Sequence, residues 1–167
     1  AQQYFQESRI DRKFNHHRLR TQLEEVQAYS ANLDFEKKLY QHKFNYGAEY
    51  VMNDVESTGS AVDVRNGNDI AVPDRYPASQ WNSSAVYLSY QNQLNEKLLL
   101  QAGTRFAAFG IYSDFTRMLT FYPLGVENSE IRKSAVTGSL GLVFRPDETL
   151  KLSLNTSTGF RAPNVDE

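Results

Sequence analysis

Leu150-Lys151-Leu152-Ser153-Leu154-Asn155-Thr156 alternates apolar and polar residues, then runs into Ser157-Thr158-Gly159-Phe160-Arg161-Ala162-Pro163-Asn164. A period of two puts Leu150, Leu152 and Leu154 on one face of a β-strand, and Lys151, Ser153 and Asn155 on the other. The strand stops abruptly for two reasons. Gly159 has no Cβ and permits a bend or close backbone approach, and Pro163 has no N–H to give to a ladder. The stretch reads as an amphipathic strand leaving a sheet.

The same period holds upstream. Leu140, Leu142 and Phe144 share one face of a strand, with Ser139 and Gly141 opposite. Phe44, Tyr46, Ala48, Tyr50 and Met52 form a large apolar face, and Asn45, Gly47 and Glu49 lie behind it. Residues 4–10, 20–36, 42–55, 81–93, 97–110, 133–145 and 149–159 read as strands, about seven in all, joined as hairpins. Between them lie long connections at 11–19, 56–80 and 111–132, and short ones at 37–41, 94–96 and 146–148. The 56–80 stretch has the Gly, Pro, Asn and Asp of turn chemistry. In an up-and-down sheet alternate connections fall on opposite rims, so short turns gather on one rim and long loops on the other. That asymmetry is the pattern of an outer-membrane barrel. Several strands exceed both the usual five or six residues and the roughly 9–11 that cross a bilayer. Tyr29, Phe35, Tyr40, Tyr50, Tyr90, Phe106 and Phe144 lie toward strand ends, where interfacial aromatics belong.

Composition narrows the class. The chain has 167 residues, 40% apolar content, ten Tyr and ten Phe, which suits a folded domain. Mean hydropathy is −0.58, and no stretch approaches the apolar length of a transmembrane helix. A β-barrel stays polar on average because lipid-facing and lumen-facing residues alternate. There is no cysteine, hence no disulfide framework and no thiolate metal site. A net charge of −2 argues against a nucleic-acid binder.

Gly159-Phe160-Arg161-Ala162-Pro163-Asn164 at a strand end resembles a recurrent motif of TonB-dependent outer-membrane receptors. The preceding hairpin, Leu140 to Pro146 and Leu150 to Leu154, is similar to the one before that motif in the family. Tyr46-Gly47-Ala48-Glu49-Tyr50 and Gln101-Ala102-Gly103-Thr104-Arg105-Phe106 add the family's habit of lumen glycines beside outward aromatics. The resemblance implies an all-β, antiparallel, up-and-down piece of a large transmembrane β-barrel, of about 22 strands in the whole receptor. It implies that residues 1–167 are part of the barrel domain, with the plug and remaining strands elsewhere. The implied function is active uptake of a scarce nutrient (iron chelate, haem, cobalamin or glycan) across a Gram-negative outer membrane. The implied partners are membrane lipid and lipopolysaccharide, a plug domain, the TonB complex and a small-molecule ligand, with no cofactor. Exposed edge strands would let the isolated chain self-associate.

Site candidates are fewer. His16, His17 and Arg18, with Arg12, Lys13 and Arg20, form a basic stretch that could attract an anion. Neighbouring histidines on a strand point to opposite faces, which is poor geometry for one metal. Arg75, Tyr76 and Trp81 could stack on a sugar or chelate, and Trp81 equally suits an interfacial anchor. The acids of 63–69 do not have EF-hand spacing, so no metal site is expected. No nucleophile–base arrangement survives placement on strands, so no enzyme is expected. Two rival folds stand beside the barrel piece. One is a soluble carbohydrate-binding β-sandwich using Trp81, Tyr76 and Tyr112, and the other is a small complete outer-membrane barrel.

Overall fold

A computed structural model describes residues 2–123 and 125–161. Its strands are β1 (Gln2–Asn15), β2 (Arg18–Leu39), β3 (His42–Asp63), β4 (Asn68–Ile70), β5 (Ala78–Asn95), β6 (Leu98–Asp114), β7 (Asn128–Phe144) and β8 (Leu152–Ser157), with one helical turn, α1 (Thr116–Leu119), between β6 and β7. They form one antiparallel sheet in the order β1-β2-β3-β5-β6-β7-β8, and short β4 pairs with β3 off that path. The meander has the seven strands expected. It is open, because β1 and β8 are not paired with each other among the described residues. A small closed barrel is therefore not the fold.

Register fixes which residues share a face, since directly opposed residues point the same way. Leu33, Ala48, Val86, Phe106 and Val136 lie on one face, as the pairings Leu33↔Ala48, Ala48↔Val86, Val86↔Phe106 and Phe106↔Val136 require. Asp34, Gly47, Tyr87, Arg105 and Thr137 line the other. The apolar face is bare. Leu33 is 63% exposed, Val136 70% and Leu154 72%. Among the described residues no second layer covers it, which rules out the β-sandwich. The buried apolar residues, Ala61, Ala85, Phe109, Ile111 and Val143, all sit on the polar face instead. That is the reverse of a water-soluble sheet, whose apolar side is the packed one.

Side-chain contacts that skip a strand also gather on the polar face. Tyr87 on β5 crosses β3 to give its hydroxyl hydrogen to Asp34 on β2. Arg105 on β6 crosses β5 to meet Glu49 on β3 at 2.5 Å. Phe160 crosses β7 to reach the Phe109 ring, centroids 5.6 Å apart. Tyr87 can cross only because Gly47 lies beneath it. A Cβ there would stand 2.7 Å from the tyrosine oxygen and 2.3 Å from the Leu33 carbonyl.

The apolar belt has two aromatic margins. Tyr4 and Tyr29 rings lie 4.8 Å apart at one, and Phe44 and Tyr90 rings lie 5.1 Å apart at the other. On β3 the belt runs from Phe44 to Met52, close to the length that crosses a bilayer. Beyond it the outward row Gln27–Asp54–Gln80–Tyr112–Glu130 is polar, and β3 continues to Asp63. At 22 residues, β3 is about 70 Å long at roughly 3.3 Å per residue. Tilted about 40°, it rises roughly 55 Å, about twice an apolar band of about 25 Å.

Strand ends differ from the sequence expectation on that far rim. The connection expected at 11–19 is a two-residue turn at His16-His17, with strand on both sides. The loop expected over 56–80 begins only after Asp63, and that over 111–132 only after Asp114, ending before Asn128. The cause is physical. Beyond the belt both faces carry polar residues, so apolar alternation fades while backbone pairing persists. The turn was hidden because His16 takes φ 51° without glycine, whereas such turns are usually signalled by Asn-Gly or Asp-Gly. On the near rim, turns at 40–41 and 96–97 are short and 145–151 is closed by Asp147, whose carboxylate accepts the Thr149 and Leu150 N–H groups at 2.9 Å each.

Candidate functional site

The far rim gathers most of the candidate residues around one clasped loop, residues 71–77. Its position follows from Gly59. The Pro73 carbonyl passes over this residue on the polar face, and a Cβ at Gly59 would lie 2.5 Å from it. Charge then fixes the loop. Arg75 reaches Glu24 on β2 at 2.6 Å and Asp11 on β1 at 3.1 Å, and its backbone N–H donates to Ser57 Oγ. The Glu24 carboxylate, then that of Asp11, holds the Arg75 guanidinium's pKa above its ordinary value. Arg20 Nη2 donates to the Pro73 carbonyl at 3.1 Å. Asp74 accepts the Gly59 N–H at 2.7 Å and binds Arg117 of α1 at 3.1 Å. Arg117 also approaches Glu56 at 3.5 Å, so the two loops of this rim are joined at Asp74.

The neighbouring turn 64–67 is fixed by its own acid. Arg65 donates to both oxygens of Asp63. These hydrogen bonds, with the Arg65 backbone N–H, lower the Asp63 pKa to about 2. The Val64 N–H reaches the His17 carbonyl at 2.8 Å, tying this turn to the β1–β2 tip.

His16, His17 and Arg18 thus lie at the β1–β2 tip beside Asp63, and Arg18 is registered opposite both Asn15 and Asp63. Arg75 and Tyr76 lie in the clasped loop. Trp81 is on the polar face of β5, opposite Asn53 and Ile111, rather than on the outward face an interfacial anchor would need. Gly159, Phe160 and Arg161 are described, and Ala162, Pro163 and Asn164 lie outside the described residues. Phe160 places the motif against Phe109 on the same polar face as Trp81. Sequence reasoning missed Glu24, Asp11 and Asp74 as the clasp. Asp11 and Glu24 lie on strands far from Arg75 in sequence and Asp74 pairs with Gly59 and Arg117 rather than a neighbour, so their roles have meaning only once register is known.

The arrangement can hold loops in place and offer charged and aromatic groups to a solute on the polar face. No group of three or more His, Cys, Asp or Glu able to hold a metal occurs among the described residues.

Comparison with known proteins bears directly on this geometry. No curated protein matches. Among solved structures, the ferric citrate transporter FecA in its unliganded form is similar at 16% identity and TM-score 0.65, over 92% of this chain and 23% of that one. The copper transporter OprC is similar at 12% identity and TM-score 0.74, over 87% and 22%. The siderophore receptor PiuA from Acinetobacter baumannii gives 18% and 0.56, over 79% and 23%. The chain spans less than a quarter of the length of each. At such identities the likeness is one of fold. The family described as TonB dependent receptor-like, beta-barrel matches residues 1–167. With that match over its full length, and a sheet whose apolar side faces nothing while its polar side is the packed one, the chain belongs to the TonB-dependent receptor β-barrel family.

Proposed function

We propose that this chain is a wall segment of an outer-membrane receptor barrel that imports a scarce nutrient by TonB-dependent active transport in a Gram-negative bacterium. Residues 1–167 would be part of the barrel domain, and a plug domain would occupy the space in front of the polar face. The observation that carries the reading is the bare apolar belt between aromatic margins, set behind a face of packed and ion-paired groups. Lipid suits the first, and a wet lumen holding plug and ligand suits the second. The far rim, with its two joined loops, would be the extracellular mouth.

The ligand remains a class: an iron chelate, haem, cobalamin, glycan or a metal such as the copper in the name of one fold relative. His16, His17, Arg18, Arg75, Tyr76 and Trp81 would contact it or shape its path, and the Gly159–Asn164 motif would hold the strand end against the lumen wall. Ligand capture by loops and plug would be followed by plug rearrangement, driven through the TonB complex by the inner-membrane proton gradient.

The test is uptake in cells bearing the whole receptor, with labelled ferric chelates, haem, cobalamin, glycans and copper. The reading expects at least one to enter only when TonB is intact, and the receptor to fractionate with the outer membrane. Uptake of none of them, or uptake indifferent to TonB, would contradict it.

A further inference from the structure

Three basic groups of the far rim, Lys13, Arg18 and Arg20, are not neutralised by the acids beside them. On the polar face, Lys13 of β1 stands directly opposite Arg20 of β2, and Arg18 follows two residues away on the same face. Like charges directly opposed in a sheet destabilise it, so the pairing calls for compensation. Asp11, Glu24 and Asp63 lie on that face and could supply it. Each is engaged elsewhere: Asp11 and Glu24 by Arg75, and Asp63 by Arg65. Among the described residues, Lys13, Arg18 and Arg20 have no carboxylate within ion-pair distance.

Arg20 carries a second sign. Its Nη2 is spent on the Pro73 carbonyl, but its Nε is buried and has no hydrogen-bond partner. A buried guanidinium N–H without an acceptor is costly, and costlier for a charged group. The chain has thus assigned its local acids to Arg65 and Arg75 and left a cationic pair open on the polar face.

We infer that Lys13 and Arg20, with Arg18 beside them, form a binding site for an anion that presents two or more carboxylate or phosphate oxygens. The remaining Nη1 of Arg20 and the Lys13 ammonium, on residues whose Cβ atoms stand about 5 Å apart, suit adjacent anionic oxygens better than a single halide. Arg75 then acts at a distance, as a positioning residue, by holding Asp11 and Glu24 away from the pair. The site names a ligand chemistry for the mouth, and it rests on the reading of the polar face as the wetted interior.

The test is calorimetric titration of the whole receptor in detergent micelles with pyrophosphate and, separately, tricarballylate, so that phosphate and carboxylate are told apart. At low salt, binding of either is expected, weakening as sodium chloride is added. Arg20→Gln is expected to weaken it at least about tenfold, and Lys13→Gln, which breaks no tie in the loop, by a few-fold to about tenfold. Arg132→Gln, on the outward face of β7, serves as the control and is expected to leave affinity unchanged. Binding of neither probe, or equal affinity in wild type and Lys13→Gln, would overturn the site. The two readings fail separately. Loss of TonB-dependent uptake in whole cells leaves the micelle titration standing, and unchanged probe affinity leaves the transport reading standing.

Discussion

At the scale of single residues, what matters here is what a side chain permits next door. Gly47 and Gly59 each leave room on the polar face, one for the Tyr87 ring and one for the Pro73 carbonyl. Both glycines were visible in the sequence, and so was the place of Gly47 on the non-apolar face, whereas Gly59 was expected in a loop and lies instead on β3. Their occupants were not, because Tyr87 lies 40 positions away from Gly47 and meets it only through register. Asp63 shows the same logic in electrostatics. The adjacent Arg65 lowers its pKa to about 2, from an ordinary value near 4. A carboxylate whose folded pKa is depressed contributes stability above its unfolded pKa and loses it as pH falls through the folded one. The Asp63–Arg65 tie is therefore fully present above about pH 4 and lost toward pH 2. In a carbon-detected NMR titration the Asp63 carboxyl should titrate near 2, and Arg65→Gln should return it toward the ordinary range. An Asp63 midpoint that Arg65→Gln leaves in place would refute this account of the turn.

At the scale of elements, alternation revealed all seven strands of the meander but not their ends. It worked from Phe44 to Met52 because one face there is apolar throughout. It failed from Glu56 to Asp63 because Glu56, Thr58 and Ser60 leave the outward face as polar as the inward one. The loop clasp was illegible for a related reason: Arg75 is 51 positions from Glu24 and 64 from Asp11. The clasp predicts that Arg75→Ala frees residues 71–77. Their backbone amides should exchange with solvent about tenfold faster, about 1.4 kcal/mol of local opening, while those of β5 and β6 within the belt keep their protection. Unchanged exchange at 71–77 would mean that Gly59, Asp74 and Arg20 hold the loop without Arg75.

At the scale of the molecule, the sheet is inside-out. Its apolar belt is open, and its buried apolar residues lie on the face that carries the charges. An exposed apolar surface of this extent marks an interaction with protein or membrane. The aromatic margins, and a belt length near that of a bilayer, favour lipid. The sequence supported this architecture through loop asymmetry and strand length, although the first long loop proved to be a tight turn on projecting strands. It could not show that Phe160 closes over Phe109, since nothing local links a post-strand phenylalanine to a residue on β6. The most direct test uses the absence of native cysteine. Single cysteines placed in turn at 43–63 along β3, spin-labelled in lipid bilayers, report access to oxygen from lipid and to a nickel chelate from water. Even positions from 44 to 52 should favour oxygen and odd positions the chelate, and beyond Asp54 both should favour the chelate. Equal access at odd and even positions from 44 to 52, or an oxygen preference on the odd ones, would contradict the assignment of lipid and lumen faces on which this account stands.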